Sequence, residues 1–367
     1  MTNKPSALYI HIPFCEHICN YCDFPKLQFF AALADQYLIR LKEELTALQI
    51  DHSLKTIYIG GGTPTALNDE EFEILLKMVW PYAQGVQEYS VEANPESLSE
   101  EKLLLLKKYG VNRISLGVES TDDRILKILN RRHTFKNVQE AIANAREIGF
   151  DNISVDLILG LPQVDKQMLL KDIQNLISLN VEHISCYSLT IHPHTKFYLD
   201  GIQEVSDDYT RELYDLIAQE LKKAGFIHYE VSNWAKPGRF SEHNLTYWKD
   251  NQYYGIGLGA SAFKGKYRYK NTNSITEYNA GRFLKSKELV TYDDDKTYYI
   301  MLSLRTIFGL SFDEYEKRFG EDFEKNHKES IARFVKEGLL KVENRHLIPT
   351  YEGMMILDTI IVQFMSD

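Results

Sequence analysis

Three of the chain's four cysteines lie within one short stretch, Cys15-Glu-His-Ile-Cys19-Asn-Tyr-Cys22. Three thiolates at that spacing on one loop can converge on a single inorganic centre, and soft sulfur ligands select zinc, Cu(I) or an iron–sulfur cluster. A closed structural zinc site takes four ligands, so zinc needs His17 or His11 as the fourth. A four-iron cluster held by three thiolates leaves one iron open to a further ligand. The next unusual stretch is Gly60-Gly61-Gly62-Thr63-Pro64-Thr65, a turn whose first three residues carry no side chains and so offer backbone N–H and C=O groups to a ligand. Cys186, alone in an apolar run, is expected to be an inert core thiol.

The elements that must position these residues follow from periodicity. Short β-branched and apolar runs alternate with longer amphipathic stretches, which is the pattern of a parallel sheet with helical crossovers. It predicts six strands, at 7–12, 56–60, 88–93, 112–118, 152–159 and 183–190. Helices are predicted near 32–49, 69–79, 99–109, 136–148, 166–179 and 207–224. With no G-x-G-x-x-G after a strand, the α/β class narrows to a partial (β/α)6 TIM-like barrel. Functional residues of such a barrel sit at the C-terminal strand ends. The cysteine loop, the glycine turn, Glu92, Asn94-Pro95, Glu119, Asp156 and His192-Pro193-His194 all fall there. The barrel is expected over 1–225, an aromatic-rich extension over 226–290, and a C-terminal helical domain over 291–367. The last carries predicted helices near 296–307, 311–318, 323–337 and 351–365, with a β-wing from Gly338 to Pro349, a winged-helix-like arrangement.

A formal net charge of -10 argues against a phosphate-binding surface, so no nucleic-acid partner is expected despite the winged-helix outline. Clustered free cysteines in a chain of 367 residues point to a reducing compartment rather than a disulfide framework. Residues 1–13 lack the basic start and apolar core of a signal peptide, and no apolar run reaches the ~18 residues that span a bilayer, so a cytoplasmic protein without a membrane segment is expected.

Tyr9-Ile-His11-Ile-Pro-Phe-Cys15 with Cys19 and Cys22, the run Gly60 to Thr65, Gly-Val-Asn-Arg-Ile-Ser-Leu-Gly117-Val and Asp156-Leu-Ile-Leu-Gly-Leu-Pro162 together resemble the radical S-adenosylmethionine (SAM) superfamily. Within it they are similar to the branch of coproporphyrinogen dehydrogenases and haem chaperones, from about residue 7 to the C-terminus. The resemblance implies a [4Fe–4S] cluster on Cys15, Cys19 and Cys22 whose open iron is chelated by SAM, which the reduced cluster cleaves to a deoxyadenosyl radical. It further implies that Gly61, Gly62 and Thr63 receive the methionine end, that Glu92 accepts from its ammonium, and that Arg131 holds its carboxylate. Asp156 and Glu119 align with contacts to the ribose diol, and Tyr9 and Tyr21 flank the site. Glu119 is a departure, since the branch usually carries Gln there.

Three features lean toward the chaperone side of that branch. Phe24 stands where the dehydrogenases usually have a further cysteine, and only fourteen residues precede Cys15. Ser241-Glu-His243-Asn244-Leu-Thr-Tyr247-Trp248 resembles the chaperones' H-N-x-x-Y motif, which implies haem contacts from His243, Asn244 and Tyr247. An aromatic shelf of Trp234, Tyr247 and Trp248 is expected to face the porphyrin. His192 and His194 replace a more common Glu-Pro-Gly; they are either alternative haem or metal ligands at the barrel mouth or a substituted loop, and the loop is the favoured reading. The resemblance therefore implies a protein that binds haem and passes it to an acceptor haemoprotein, with oxidative decarboxylation of coproporphyrinogen as the alternative. A homodimer and a peripheral association with membrane-bound haemoproteins complete the expected partners.

Overall fold

A computed structural model describes residues 4–366. Six parallel strands lie side by side in chain order: β1 (Ala7–Ile12), β2 (Thr56–Gly61), β3 (Glu88–Ala93), β4 (Arg113–Glu119), β5 (Ile153–Leu159) and β6 (His183–Ser188). Helices between them cover one face. Their boundaries carry local signals: Asn68 and Thr134 each form a capping box, and Gly149 ends its helix at φ 95°.

The strands alternate in character. Ile57, Ile59, Tyr89, Val91, Ile114, Leu116, Val155 and Leu157 are fully buried in the core between sheet and helices. The intervening residues Tyr58, Glu88, Ser90, Glu92, Ser115, Ser154, Asp156 and Ser185 lie on the opposite face, because successive side chains of a strand alternate. A parallel sheet buried on both faces ordinarily reads as continuous apolar sequence. Here the concave face is polar, which gives the half-barrel a lumen fit for a charged ligand.

Residues beyond 225 lengthen this same sheet at both edges. A hairpin of β7 (Ile227–Glu230) and β8 (Asn233–Ala235) adds antiparallel to β6. At the other edge β9 (Tyr253–Ile256) runs parallel to β1, followed by the antiparallel strands β10 (Ser261–Lys264), β11 (Tyr267–Asn271) and β12 (Leu284–Leu289). The buried Glu44 carboxylate ties helix Ala31–Ala47 to this edge, accepting from Gly257 N, Asn271 Nδ2 and Tyr278 OH. The sheet is thus an open, mixed one.

The C-terminal part has a separate core around Tyr315, Phe323, Ile360 and Phe364. A three-stranded sheet, Leu310–Ser311, His346–Pro349 and Leu340–Glu343 in that spatial order, supplies the wing. The helix predicted over 323–337 is two helices, Phe323–Asn326 and Lys328–Lys336. His327 between them sits at φ -110°, ψ 26°, with its ring 4.3 Å from that of Phe323. The predicted helix 351–365 is likewise interrupted at Ile356.

Candidate cofactor site

The cysteine loop leaves the C-terminal end of β1 and is closed at its base. Phe14–Cys15 pairs in parallel with Leu27–Gln28, and Leu27 N donates to Pro13 O at 2.7 Å. His11, the penultimate residue of β1, bonds Pro25 O through Nε2 (2.8 Å) and Tyr9 OH through Nδ1 (2.9 Å). Both ring nitrogens are therefore occupied, so His11 is not the fourth ligand that the zinc reading needs. Among the described residues no three His, Cys, Asp or Glu side chains are arranged around a single ion.

Two hydrogen bonds reach the thiols, one from the turn after β2 and one from the segment after the helix Asp123–Ile128. Thr63 Oγ1 donates to Cys15 Sγ at 3.7 Å, and Arg131 Nη1 donates to Cys19 Sγ at 3.6 Å. Asn94 joins the two: its Oδ1 accepts from Arg131 Nη2 (2.9 Å) and its Nδ2 donates to Thr63 Oγ1 (3.1 Å). Burial pushes the Cys15 thiol up to about 11 and the Cys22 thiol up to about 12. Without metal these groups hold their protons, and ligation releases them.

The glycine turn presents only part of its backbone to the lumen. Gly61 N donates to Glu92 Oε2 (2.9 Å), Gly62 N to Ile12 O (2.8 Å) and Thr63 N to Phe14 O (2.8 Å). The N–H groups of Gly61, Gly62 and Thr63 are thus spent inside the protein, and only the turn's carbonyls remain to meet an ammonium. Glycine is required by close approach: a Cβ on Gly61, at φ 114°, meets the His11 ring at 2.4 Å, and one on Gly60 meets the Glu92 carboxyl at 2.6 Å.

Around the lumen the strands bring Glu92, Glu119 and Asp156 together, and Arg131 joins them from beyond the helix Asp123–Ile128. Glu92 accepts from Tyr58 OH (2.7 Å) as well as Gly61 N, and burial raises its pKa. Burial first, then the Glu119 charge, pushes Asp156 up to about 8. Glu119 sits at φ 67° on a bulge between β4 and β5, 4.0 Å from Arg131. Arg131 is only 8% exposed; the Cys19, Tyr21 and Glu119 groups beside it outweigh its desolvation and hold its proton. Tyr21 faces the same group, its pKa raised by burial and by Glu119. Tyr9 stacks on Tyr58 with ring centroids 6.2 Å apart, farther down the lumen.

These residues fit SAM. Arg131 Nε and Asp156 Oδ1 are buried polar atoms without hydrogen-bond partners, one a donor suited to a carboxylate and the other an acceptor suited to a hydroxyl. Three carboxyl groups face one guanidinium, two of them raised by burial, and their ionisation would match a ligand that carries an ammonium and a sulfonium beside a single carboxylate. Three thiols on a closed loop fit a cluster with one uncommitted corner.

The expected haem residues lie elsewhere. His243 is 1% exposed on the short helix Glu242–Trp248. Its Nδ1 bonds Thr56 Oγ1 (2.9 Å), its Nε2 bonds Tyr247 OH (2.8 Å), and its ring stacks on Tyr58 at 5.1 Å. Glu88, at the start of β3, accepts from the backbone N–H groups of Glu242 (2.9 Å) and His243 (3.1 Å). Thr56 and Glu88 open their strands, so the motif closes the N-terminal floor of the half-barrel, opposite the cysteine loop. With both nitrogens bonded and burial pushing its pKa down to about 3, His243 has no free lone pair for haem iron. Tyr247 is turned to His243, and Asn244 N bonds the Ser241 cap (3.3 Å). The aromatic shelf is not formed: Trp234 lies under the His228 ring at 4.2 Å, while Trp248 packs with Tyr229 and Leu245.

Tyr58 and the pair His133–Glu96 (3.2 Å) were missed by sequence reasoning. Asn94-Pro95 reads as a strand end without a role, and nothing in the spacing around Tyr58 announces its bond to Glu92. Cys186 is buried in the core, as expected.

Comparison with known proteins adds an independent line. The profile of the radical SAM superfamily matches residues 9–176, and that of the HemN C-terminal domain matches residues 299–356. The chain is 35% identical to the heme chaperone HemW of Lactococcus lactis subsp. lactis (strain IL1403), covering 100% of this chain and 99% of that protein. It is 36% identical to the heme chaperone HemW of Bacillus subtilis (strain 168), covering 98% and 99%. Among solved structures, coproporphyrinogen III oxidase (HemN) of Escherichia coli, a radical SAM enzyme, superposes with a TM-score of 0.86 over 98% of this chain and 90% of that one, at 24% identity. At that identity the likeness is one of fold.

Proposed function

We propose, for a chain that belongs to the HemW family within the radical SAM superfamily, that it binds haem and passes it to an acceptor haemoprotein. The observation that carries this reading is similarity at 35% identity along the entire chain to a protein named for that task. A [4Fe–4S] cluster and SAM accompany it, as the superfamily implies. Cys15, Cys19 and Cys22 would hold the cluster. Arg131 would take the carboxylate of SAM, Glu92 and the turn carbonyls its ammonium, and Asp156 and Glu119 its ribose hydroxyls. When bound, the pair supplies one-electron chemistry. The chain's own residues orient it: Thr63 and Arg131 donate to sulfur, and Asn94 keeps both donors in place.

The HemN-like fold keeps a second reading in view, coproporphyrinogen dehydrogenation. Phe24, in place of the cysteine that the dehydrogenases carry, speaks against it. Anaerobic incubation of cluster-loaded protein with SAM, a reductant and coproporphyrinogen separates the two. No porphyrinogen product at turnover is expected, and steady formation of protoporphyrinogen would replace the chaperone reading. No helix among the described residues is long and apolar enough to cross a membrane; a peripheral association with membrane-bound haemoproteins is part of the same proposal. Dimerisation on cluster loading belongs to the same proposal, and an unchanged elution volume between cluster-free and loaded protein would remove it.

A further inference from the structure

We propose that haem docks at the rim of the barrel mouth beside the cysteine loop, with His192 as an axial ligand of its iron. The assignment rests on the haem reading above and deepens it.

The loop after β6 is anchored to the cysteine loop. Phe197 N donates to Asn20 O at 2.9 Å, and His192 Nε2 lies 3.4 Å from Asp23 Oδ2. The His192 side chain is 45% exposed, and while its Nε2 faces the Asp23 carboxylate, Nδ1 has no partner among the described residues. A carboxylate beside Nε2 draws the ring proton to that nitrogen and leaves the Nδ1 lone pair for a metal. Ligating imidazoles are commonly oriented in this way.

The surroundings suit a porphyrin. Phe24, one residue beyond Asp23, is 64% exposed, and Leu199, at the end of the short helix Lys196–Leu199 that follows His192, is 72% exposed. Ile18 is a third exposed apolar side chain, held at the rim by Asn130 Nδ2 donating to its carbonyl at 2.8 Å. Large apolar side chains gathered at a mouth signal a surface meant to be covered. Arg132, two residues beyond Asn130, is exposed and has no ion pair among the described residues. Its guanidinium is available to a propionate. An imidazole with an open nitrogen, apolar side chains and an unpaired cation are the features that haem recognises: iron, a flat apolar macrocycle and carboxylates. His243, buried and doubly bonded, offers none of these.

The test is a haem titration of full-length, cluster-loaded protein, read as the Soret maximum and the dissociation constant. His192→Ala should move the Soret band and weaken binding. Asp23→Asn should keep the wild-type band while weakening binding by about tenfold, the usual cost of losing the group that orients a ligating imidazole. Phe24→Ser should weaken binding without moving the band. His243→Gln should leave the band in place. Wild-type position and affinity in His192→Ala would overturn the assignment and leave the haem reading standing. Wild-type protein that forms no Soret complex would overturn the haem reading and the assignment with it.

Discussion

The guanidinium of Arg131 donates to the sulfur of Cys19 at 3.6 Å. One side chain thus links the cluster loop to the position where a cofactor carboxylate is expected. Hydrogen bonds to cluster sulfur raise the reduction potential. Arg131→Lys keeps the charge and loses the fork, so the potential of the reconstituted cluster should fall. SAM affinity should drop at least about tenfold, the loss expected for one hydrogen bond between charged partners. Redox titration and equilibrium dialysis check the two effects separately.

Thr63→Val removes the donor to Cys15 while conserving shape. The expected result is a lower cluster potential with a stability change of about 1 kcal/mol, the net worth of a typical hydrogen bond. Asn94→Ala, which releases both Thr63 and Arg131, should lower the potential further than Thr63→Val does. An Asn94→Ala potential equal to wild type would show that the bridge does not govern the thiol contacts.

Asp156 makes stability depend on pH in the cofactor-free protein. Its carboxyl is raised from 3.8 to about 8 by burial and the nearby Glu119 charge. Between those values the folded protein keeps a proton that the unfolded chain has released. Stability therefore falls as pH rises through this window, and the full cost is present above pH ~8. Asp156→Asn does not ionise, so it should be the more stable protein at high pH, by about 2 kcal/mol or more at pH ~9, with the advantage vanishing below pH ~4. Urea unfolding at both ends of the range measures the difference.

His243→Ala removes two buried hydrogen bonds and empties the space beneath Tyr58. A loss of about 3 kcal/mol is expected from cavity and unsatisfied hydroxyls together. His243→Gln, which can still bond one of the two hydroxyls, should lose less. A His243→Ala protein as stable as wild type would argue against the floor role.

Much of this was legible in the chain before the structure. The C-x3-C-x2-C loop, the six strands and the clustering of Glu92, Glu119 and Asp156 at strand ends depend on short-range spacing, and spacing is what a sequence displays directly. The placement of His243 was not legible, because its partner Thr56 lies 187 residues away and only the closed sheet brings them together. The glycine turn was half legible: three glycines announce close approach, but not that Glu92, Ile12 and Phe14 consume the N–H groups. Trp234 and Trp248 looked alike in a run of aromatics, yet their strand and helix turn them to different neighbours. His192 was legible as a departure and as an alternative ligand, but its contact with Asp23 was not, because that contact joins the loops after β1 and β6.

The measurement closest to the central claim is haem transfer. Cluster-loaded protein charged with haem is mixed with a haem-free acceptor haemoprotein, and the Soret bands of donor and acceptor are followed together. Donor loss matched by acceptor gain, faster than from haem bound to serum albumin and slowed when the cluster is removed, is the predicted result. Haem that stays on the protein, or reaches the acceptor no faster than from albumin, would contradict the account.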